Sequence, residues 1–286
     1  MLINPLTLHV PVSLSEAVGL YATLDNAKLQ AGGTFLLNSL KLLKRKGAKT
    51  PQHIISLRKI AELKGITEEA GQLKIMAMTT ISDLYDSPQL RGPLAILKTV
   101  CKNISTNPIR NMATVGGNLT CRYTWTEMPA VMVGLNARMH FLGQDGKTET
   151  MDSEDFFKSA AKTDKIFTHV TIPVDAGASL AYRRVKKSPN VDIPLLSVLI
   201  KTNFSGNKFC QTRVSVNNCV AFAQRDRVLE QFLEEGEISE GIADNALNHL
   251  DETIYDNRSN DFKKHMFRIS LKDAIRELVN KNNPKT

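Results

Sequence analysis

The chain has 286 residues, 42% of them apolar and 23% charged, a balance that fits two or three packed units and excludes a disordered or disulfide-stapled chain. Its 37 basic and 29 acidic residues give a formal net charge of +8. The densest basic stretches, residues 41–49 and 183–187, have no alternating aromatic residues, so nucleic-acid binding is not expected.

Taken in chain order, Ser13 and Glu16 form a capping-box pattern before an apolar-periodic run, which predicts a helix over residues 14–24. A short strand over 27–31 runs into Gly32-Gly33-Thr34. Apolar residues at 36, 37, 40 and 43 then predict a helix over 35–46, with its lysines outside and gathered toward its C-terminal end. The β-branched run 53–57 reads as a buried strand. Strand, glycine turn, helix and strand make two parallel strands joined by a crossover, in a small unit ending near residue 58.

Strands are expected next over 73–78, 137–142, 147–151 and 166–172, with 144–146 as a hairpin turn. Helices are expected over 94–104 and 152–158, and a loop from Pro108 to Asn118. Regular helical crossovers are missing here, which points to a mixed, mainly antiparallel sheet with helices to one side. Beyond 173–178, three strands (181–185, 193–202, 209–216) precede three helices (224–235, 239–250, 262–280). The fold class is therefore α+β, divided into 1–58, 59–175 and 176–286.

No apolar stretch nears the roughly 18 residues of a membrane span. The N-terminal residues lack a basic region followed by an apolar run, so a cytoplasmic address is expected. Four cysteines, at 101, 121, 210 and 219, show no metal-ligand spacing. They read as reduced thiols, with no iron–sulfur cluster in this chain.

The two Gly-Gly turns carry the chemistry. A dinucleotide diphosphate needs backbone N–H donors at close range, and glycine lets the backbone approach and take positive φ. Ala31-Gly32-Gly33-Thr34 ahead of a helix meets that need, and the Thr34 hydroxyl adds a cap or a phosphate contact. Thr114-Val115-Gly116-Gly117-Asn118 repeats the pattern. Neither turn is a G-x-G-x-x-G fingerprint or a Walker loop, and on spacing alone a Gly-Gly pair between strand and helix is more often an ordinary structural turn.

The flanking residues narrow the choice. Residues 30–37, Gln-Ala-Gly-Gly-Thr-Phe-Leu-Leu, and residues 109–119, Ile-Arg-Asn-Met-Ala-Thr-Val-Gly-Gly-Asn-Leu, resemble the flavoprotein subunit of molybdenum hydroxylases of the xanthine dehydrogenase and carbon monoxide dehydrogenase type. Residues 53–57, 60–66, Tyr182 to Val185 with Asp192-Ile193, and 259–276 extend the resemblance in the same order. It implies a two-part FAD-binding domain of the PCMH type, followed by a three-stranded sheet with a helix bundle. It also implies FAD as cofactor, with the molybdenum cofactor and iron–sulfur clusters held on partners: a two-iron ferredoxin-like subunit and a large molybdenum subunit. Electrons would reach FAD from the iron–sulfur subunit and leave to NAD+, oxygen or another acceptor. The rival readings are a flavin oxidoreductase without molybdenum partners and a relic that has lost FAD.

Residue by residue, the resemblance implies that Ala31, Gly32, Gly33, Thr34, Phe35 and Leu36 cradle the diphosphate. Thr114, Val115, Gly116, Gly117 and Asn118 form a second phosphate- and flavin-facing loop. Ile104 and Phe167 stand as apolar cofactor neighbours, Glu127 in place of an Asp that binds cofactor hydroxyls, and Arg184 where the family has a Lys or Arg. No acid, base or nucleophile is implied. The chain departs from the family at Phe35, where Asp is common, and in the bulky stretch with Arg122, Tyr123 and Trp125, which stands where small residues are usual. Trp125, the one tryptophan, is expected to face the flavin.

Overall fold

A computed structural model describes residues 4–121, 123, 126–159, 164–188, 190–255 and 260–282. Arg122 and Trp125, and with them the expected contact between Trp125 and the flavin, lie outside the described residues.

The chain opens with β1 (Thr7–His9), α1 (Leu14–Thr23), β2 (Ala27–Gln30), α2 (Leu36–Arg45) and β3 (His53–Ser56). The Ser13 hydroxyl accepts from the Glu16 N–H and caps α1, as its sequence pattern indicates. The three strands form a parallel sheet in the order β1-β3-β2. Ile55, Leu57 and Ile60 pack there with Ala17 and Val18 of α1. The sequence pattern does not signal β1, whose three residues carry no periodicity to detect.

The second unit holds β4 (Ile66–Glu69), β5 (Gln72–Met76), α3 (Ile81–Asp86), α4 (Ile96–Asn103), α5 (Asn107–Arg110), α6 (Val115–Thr120), α7 (Met128–Gly134), β6 (Arg138–Leu142), β7 (Thr148–Asp152), α8 (Ser153–Lys158) and β8 (Ile166–Pro173). Its sheet runs β4-β5-β8-β6-β7, antiparallel throughout. Leu73, Ile75, Met139, Phe141, Val170 and Ile172 send their side chains from it into one core with α3, α4 and α7. The expected loop from Pro108 to Asn118 is corrected: it contains α5 and opens α6. Both helices are too short to show a helical period.

The C-terminal unit has β9 (Ser179–Lys186), β10 (Pro194–Phe204), β11 (Phe209–Asn217), β12 (Gln224–Arg225), α9 (Arg227–Glu235), α10 (Ile242–Asn245) and α11 (Asp261–Asn282). The three expected strands are present and antiparallel, and the two-residue β12 adds a fourth. That strand takes the start of the helix expected from residue 224, which begins instead at Arg227 behind an Asp226 cap. The helix expected over 239–250 shrinks to α10 and a 3-10 turn, Ala246–Asn248. Among the described residues no helix is long and apolar enough to cross a membrane.

One element ties the last two units together. Every residue of α7 is buried, so its last carbonyls need donors. The N–H groups of Leu135, Asn136 and Ala137 donate to the carbonyls of Val131, Val133 and Met132, and the second strand of the next unit's central hairpin adds side-chain donors. Arg213 donates to the Val133 carbonyl at 3.0 Å, and the Ser215 hydroxyl to Ala130 at 2.7 Å. Just before the helix, the Asn217 amide donates to the Thr126 carbonyl at 3.0 Å.

Candidate cofactor site

The first glycine turn lies between the end of β2 and the start of α2. Gly33 takes φ +74, the left-handed region that side chains disfavour. Gly32 lies so close to the opposite loop that an added Cβ would stand 2.0 Å from the Met112 carbonyl oxygen. Phe35 is the N-cap of α2, and no side chain caps the helix. Among the described residues, no acceptor takes the N–H groups of Gly32, Gly33 or Thr34. Three adjacent donors at an uncapped helix N-terminus are the chemistry an anionic diphosphate needs.

The second turn stands against the first. A Cβ on Gly117 would meet the Ala31 Cβ at 3.6 Å and the Thr114 hydroxyl at 3.1 Å. Its donors, however, are spent within the protein. Val115 N–H donates to Thr79 at 2.9 Å and Gly116 N–H to Ala77 at 2.8 Å. The Thr114 hydroxyl accepts from Gly117 N–H at 3.0 Å, and its carbonyl from Asn118 N–H at 2.9 Å. The backbone N–H groups of the second turn are therefore not available to a phosphate. The second is a packing joint: a Cβ on Gly116 would fall 2.7 Å from the Ala77 carbonyl oxygen. Val115 is fully buried in the core. One polar atom there lacks a partner: among the described residues nothing satisfies the buried Asn118 Oδ1.

The remaining residues divide. The Phe35 ring packs on Tyr123 at 4.6 Å between centroids, tilted by 59°, so two of the bulky departures meet beside the first turn. Glu127 and Arg184 meet each other. The Arg184 Nε donates to Glu127 Oε1, and the Tyr182 hydroxyl donates to Oε2 at 2.7 Å. Arg184 also donates to the Asp192 carbonyl. Burial pushes the Glu127 carboxyl above the usual range, although Tyr182 and Arg184 pull it down. This pair bridges the second and third units, which no spacing in the sequence signals. Ile104 caps α4 in the core, and its carbonyl accepts from Arg110 at 2.9 Å. Phe167 is a core residue whose ring lies 5.4 Å from Phe141. Met112 and Tyr182 lie within stretches that carry the resemblance, but nothing in the sequence assigns Met112 its place over Gly32 or Tyr182 its bond to Glu127.

None of the four cysteines forms a disulfide, and among the described residues no cluster of His, Cys, Asp and Glu fits a metal ion.

Comparison with known proteins converges on one group. Residues 4–175 match the family described as the FAD binding domain in molybdopterin dehydrogenase. The carbon monoxide dehydrogenase medium chain of Hydrogenophaga pseudoflava is 30% identical over 223 residues, 76% of each chain. The putative xanthine dehydrogenase FAD-binding subunit of Escherichia coli K12 is 24% identical over 95% of each chain. Among solved structures, carbon monoxide dehydrogenase from Hydrogenophaga pseudoflava superposes with a TM-score of 0.87 at 26% identity, covering 96% of this chain and 98% of that one.

Proposed function

This chain belongs to the family of FAD-binding domains in molybdopterin dehydrogenases, and on that premise we propose that it is the FAD-binding, electron-relaying subunit of a multi-subunit molybdenum hydroxylase. It works beside a two-iron ferredoxin-like subunit and a large molybdenum-cofactor subunit. It accepts electrons from the former and delivers them to NAD+, oxygen or another acceptor.

The observation that carries this reading is the row of unspent N–H donors at Gly32, Gly33 and Thr34, set at the uncapped start of α2. The residues present fit a dinucleotide. The turn carries no Cβ at Gly32 or Gly33, and the Asn118 Oδ1 of the facing turn is buried without a donor among the described residues. Ala31 to Leu36 would hold the diphosphate. Asn118 would accept from a cofactor N–H or hydroxyl, and Thr114 to Gly117 would set its position. FAD, when bound, supplies the redox chemistry, and the chain binds and orients it. The Phe35–Tyr123 pair stands beside the turn. Glu127 and Arg184 fix the third unit against the second.

The test is FAD titration of the purified chain, followed by absorbance. The expected result is one FAD per chain, with Asn118→Ala binding about tenfold more weakly, the upper value of one net hydrogen bond at ~1.5 kcal/mol. A chain that stays colourless in excess FAD would instead be the relic.

A further inference from the structure

From residue 26 to residue 61 the sequence contains no Asp or Glu, although it holds eight Lys and Arg residues. Those eight equal the formal net charge of +8, so the rest of the chain is balanced. Five of them, Lys41, Lys44, Arg45, Lys46 and Lys49, lie on α2 or just beyond it. Among the described residues the ion pairs lie elsewhere, and none of these five takes part in one.

The same helix is poorly covered. Only Leu40 of α2 is buried, while Leu37 is 48% exposed and Leu42 40%. The sheet beneath it shares this feature. The chain steps from β1 outward to β2 and back to β3, and right-handed crossovers in opposite directions place α1 and α2 on opposite faces. The α1 face holds Leu29 and Ile55. Register puts Leu8, Ile54 and Lys28 on the other face. Ile54 is buried there, yet Leu8 remains 56% exposed. One small unit thus carries the net charge of the chain and uncovered leucines together.

We propose that the exposed face of α2, with Leu8 beside it, is the docking surface for an acidic partner protein, the iron–sulfur subunit; this rests on the reading of the chain as an electron-relaying flavoprotein subunit. Charge and apolar exposure together select a protein. Nucleic acid would match the lysines but leave the leucines without a partner, and no aromatic platform accompanies them. Leucines ringed by charge are the anchors of a protein interface, and the unpaired cations steer an anionic surface toward it. A two-iron cluster bound by thiolates contributes negative charge of its own. Position supports the same partner. The helix starts at the glycine turn proposed for the diphosphate, and its ten residues span about 15 Å, so a protein seated on it stays within that distance of the turn.

The test uses the full FAD-loaded chain and the isolated iron–sulfur subunit, with association and dissociation followed separately at low and high salt. Lys41→Glu, Arg45→Glu, Lys46→Glu and Lys49→Glu combined are expected to slow association by about 100-fold at low salt and to erase its salt dependence. Leu37→Ser with Leu42→Ser is expected to keep the association rate and speed dissociation by about tenfold. Flavin content stays at the wild-type level in both. A charge-reversed chain that holds its FAD and still associates at the wild-type rate overturns the docking surface and leaves the FAD reading intact. A loss confined to nucleic-acid retention overturns it too. A wild-type chain without flavin that captures the subunit through these residues upholds the surface and sinks the FAD reading.

Discussion

The turns at Gly32-Gly33 and Gly116-Gly117 both lead into a helix, and in the folded chain they touch. In the first, the N–H groups of Gly32, Gly33 and Thr34 have no acceptor among the described residues. In the second, the four N–H groups from Val115 to Asn118 are all bonded within the protein. A glycine pair in a sequence announces that a Cβ is unwelcome. It does not say whether a ligand or the chain's own backbone takes the space. That is decided by where the donors go, and they go to Thr79, Ala77 and Thr114 only in the second case.

The largest expected effect lies where the two turns meet. Gly32→Ala would put a methyl 2.0 Å from the Met112 carbonyl oxygen, a backbone atom that cannot rotate away. We expect a loss of about 3 kcal/mol or more, the upper range for overpacking, and a chain that purifies without flavin. Urea unfolding and absorbance measure the two. Wild-type stability together with normal FAD uptake would mean that the turns do not abut.

Next, paired substitutions separate the two turns. In Gly116→Ala the new methyl would meet the Ala77 carbonyl oxygen at 2.7 Å. The expected cost is about 2 kcal/mol of stability, with the FAD affinity of the folded fraction unchanged. Gly33→Ala strains a backbone at φ +74, which costs only ~1 kcal/mol, but is expected to weaken FAD binding by about tenfold. If Gly116→Ala lost FAD while keeping its stability, the second turn would be the donor site and the comparison would be reversed.

The same division separates what a sequence can reveal from what it cannot. Periodicity marks α1 and α2, each with one wet face and one dry one, whereas β-branched runs mark buried strands such as β3 and β10. Periodicity passes over α7 because Met128 to Gly134 is apolar all round and buried on every side, which leaves no period to read. The first turn is legible through its neighbours: a strand before it and an amphipathic helix after it. Residues 114–118 carry an equivalent glycine pattern, yet their acceptors, Ala77 and Thr79, lie about 40 residues upstream, beyond the reach of any local motif. The pairing of Glu127 with Arg184 is hidden for the same reason. The family resemblance assigns each to the cofactor alone, and the fold brings them to each other.

Glu127 extends the comparison, because its polar atoms, like those of the second turn, are already engaged within the protein. Burial raises its carboxyl above the ordinary value of 4.5, against the pull of Tyr182 and Arg184. The folded chain therefore holds this proton more tightly than the unfolded chain does. Its stabilising contribution is complete below 4.5 and is lost as pH rises through the elevated folded value. Glutamine resembles the protonated acid in shape, and its carbonyl oxygen still accepts one of the two hydrogen bonds. Glu127→Gln should thus flatten the fall in stability over that window. At neutral pH it should be less stable than wild type, because the buried Arg184 loses its carboxylate partner. FAD affinity should hold, since the carboxylate serves Arg184 and Tyr182. Denaturant titrations of both proteins across this pH range give the answer. Parallel profiles would remove Glu127 from the pH dependence. A large loss of FAD with stability unchanged would return the carboxylate to the cofactor, beside the contact proposed for Asn118.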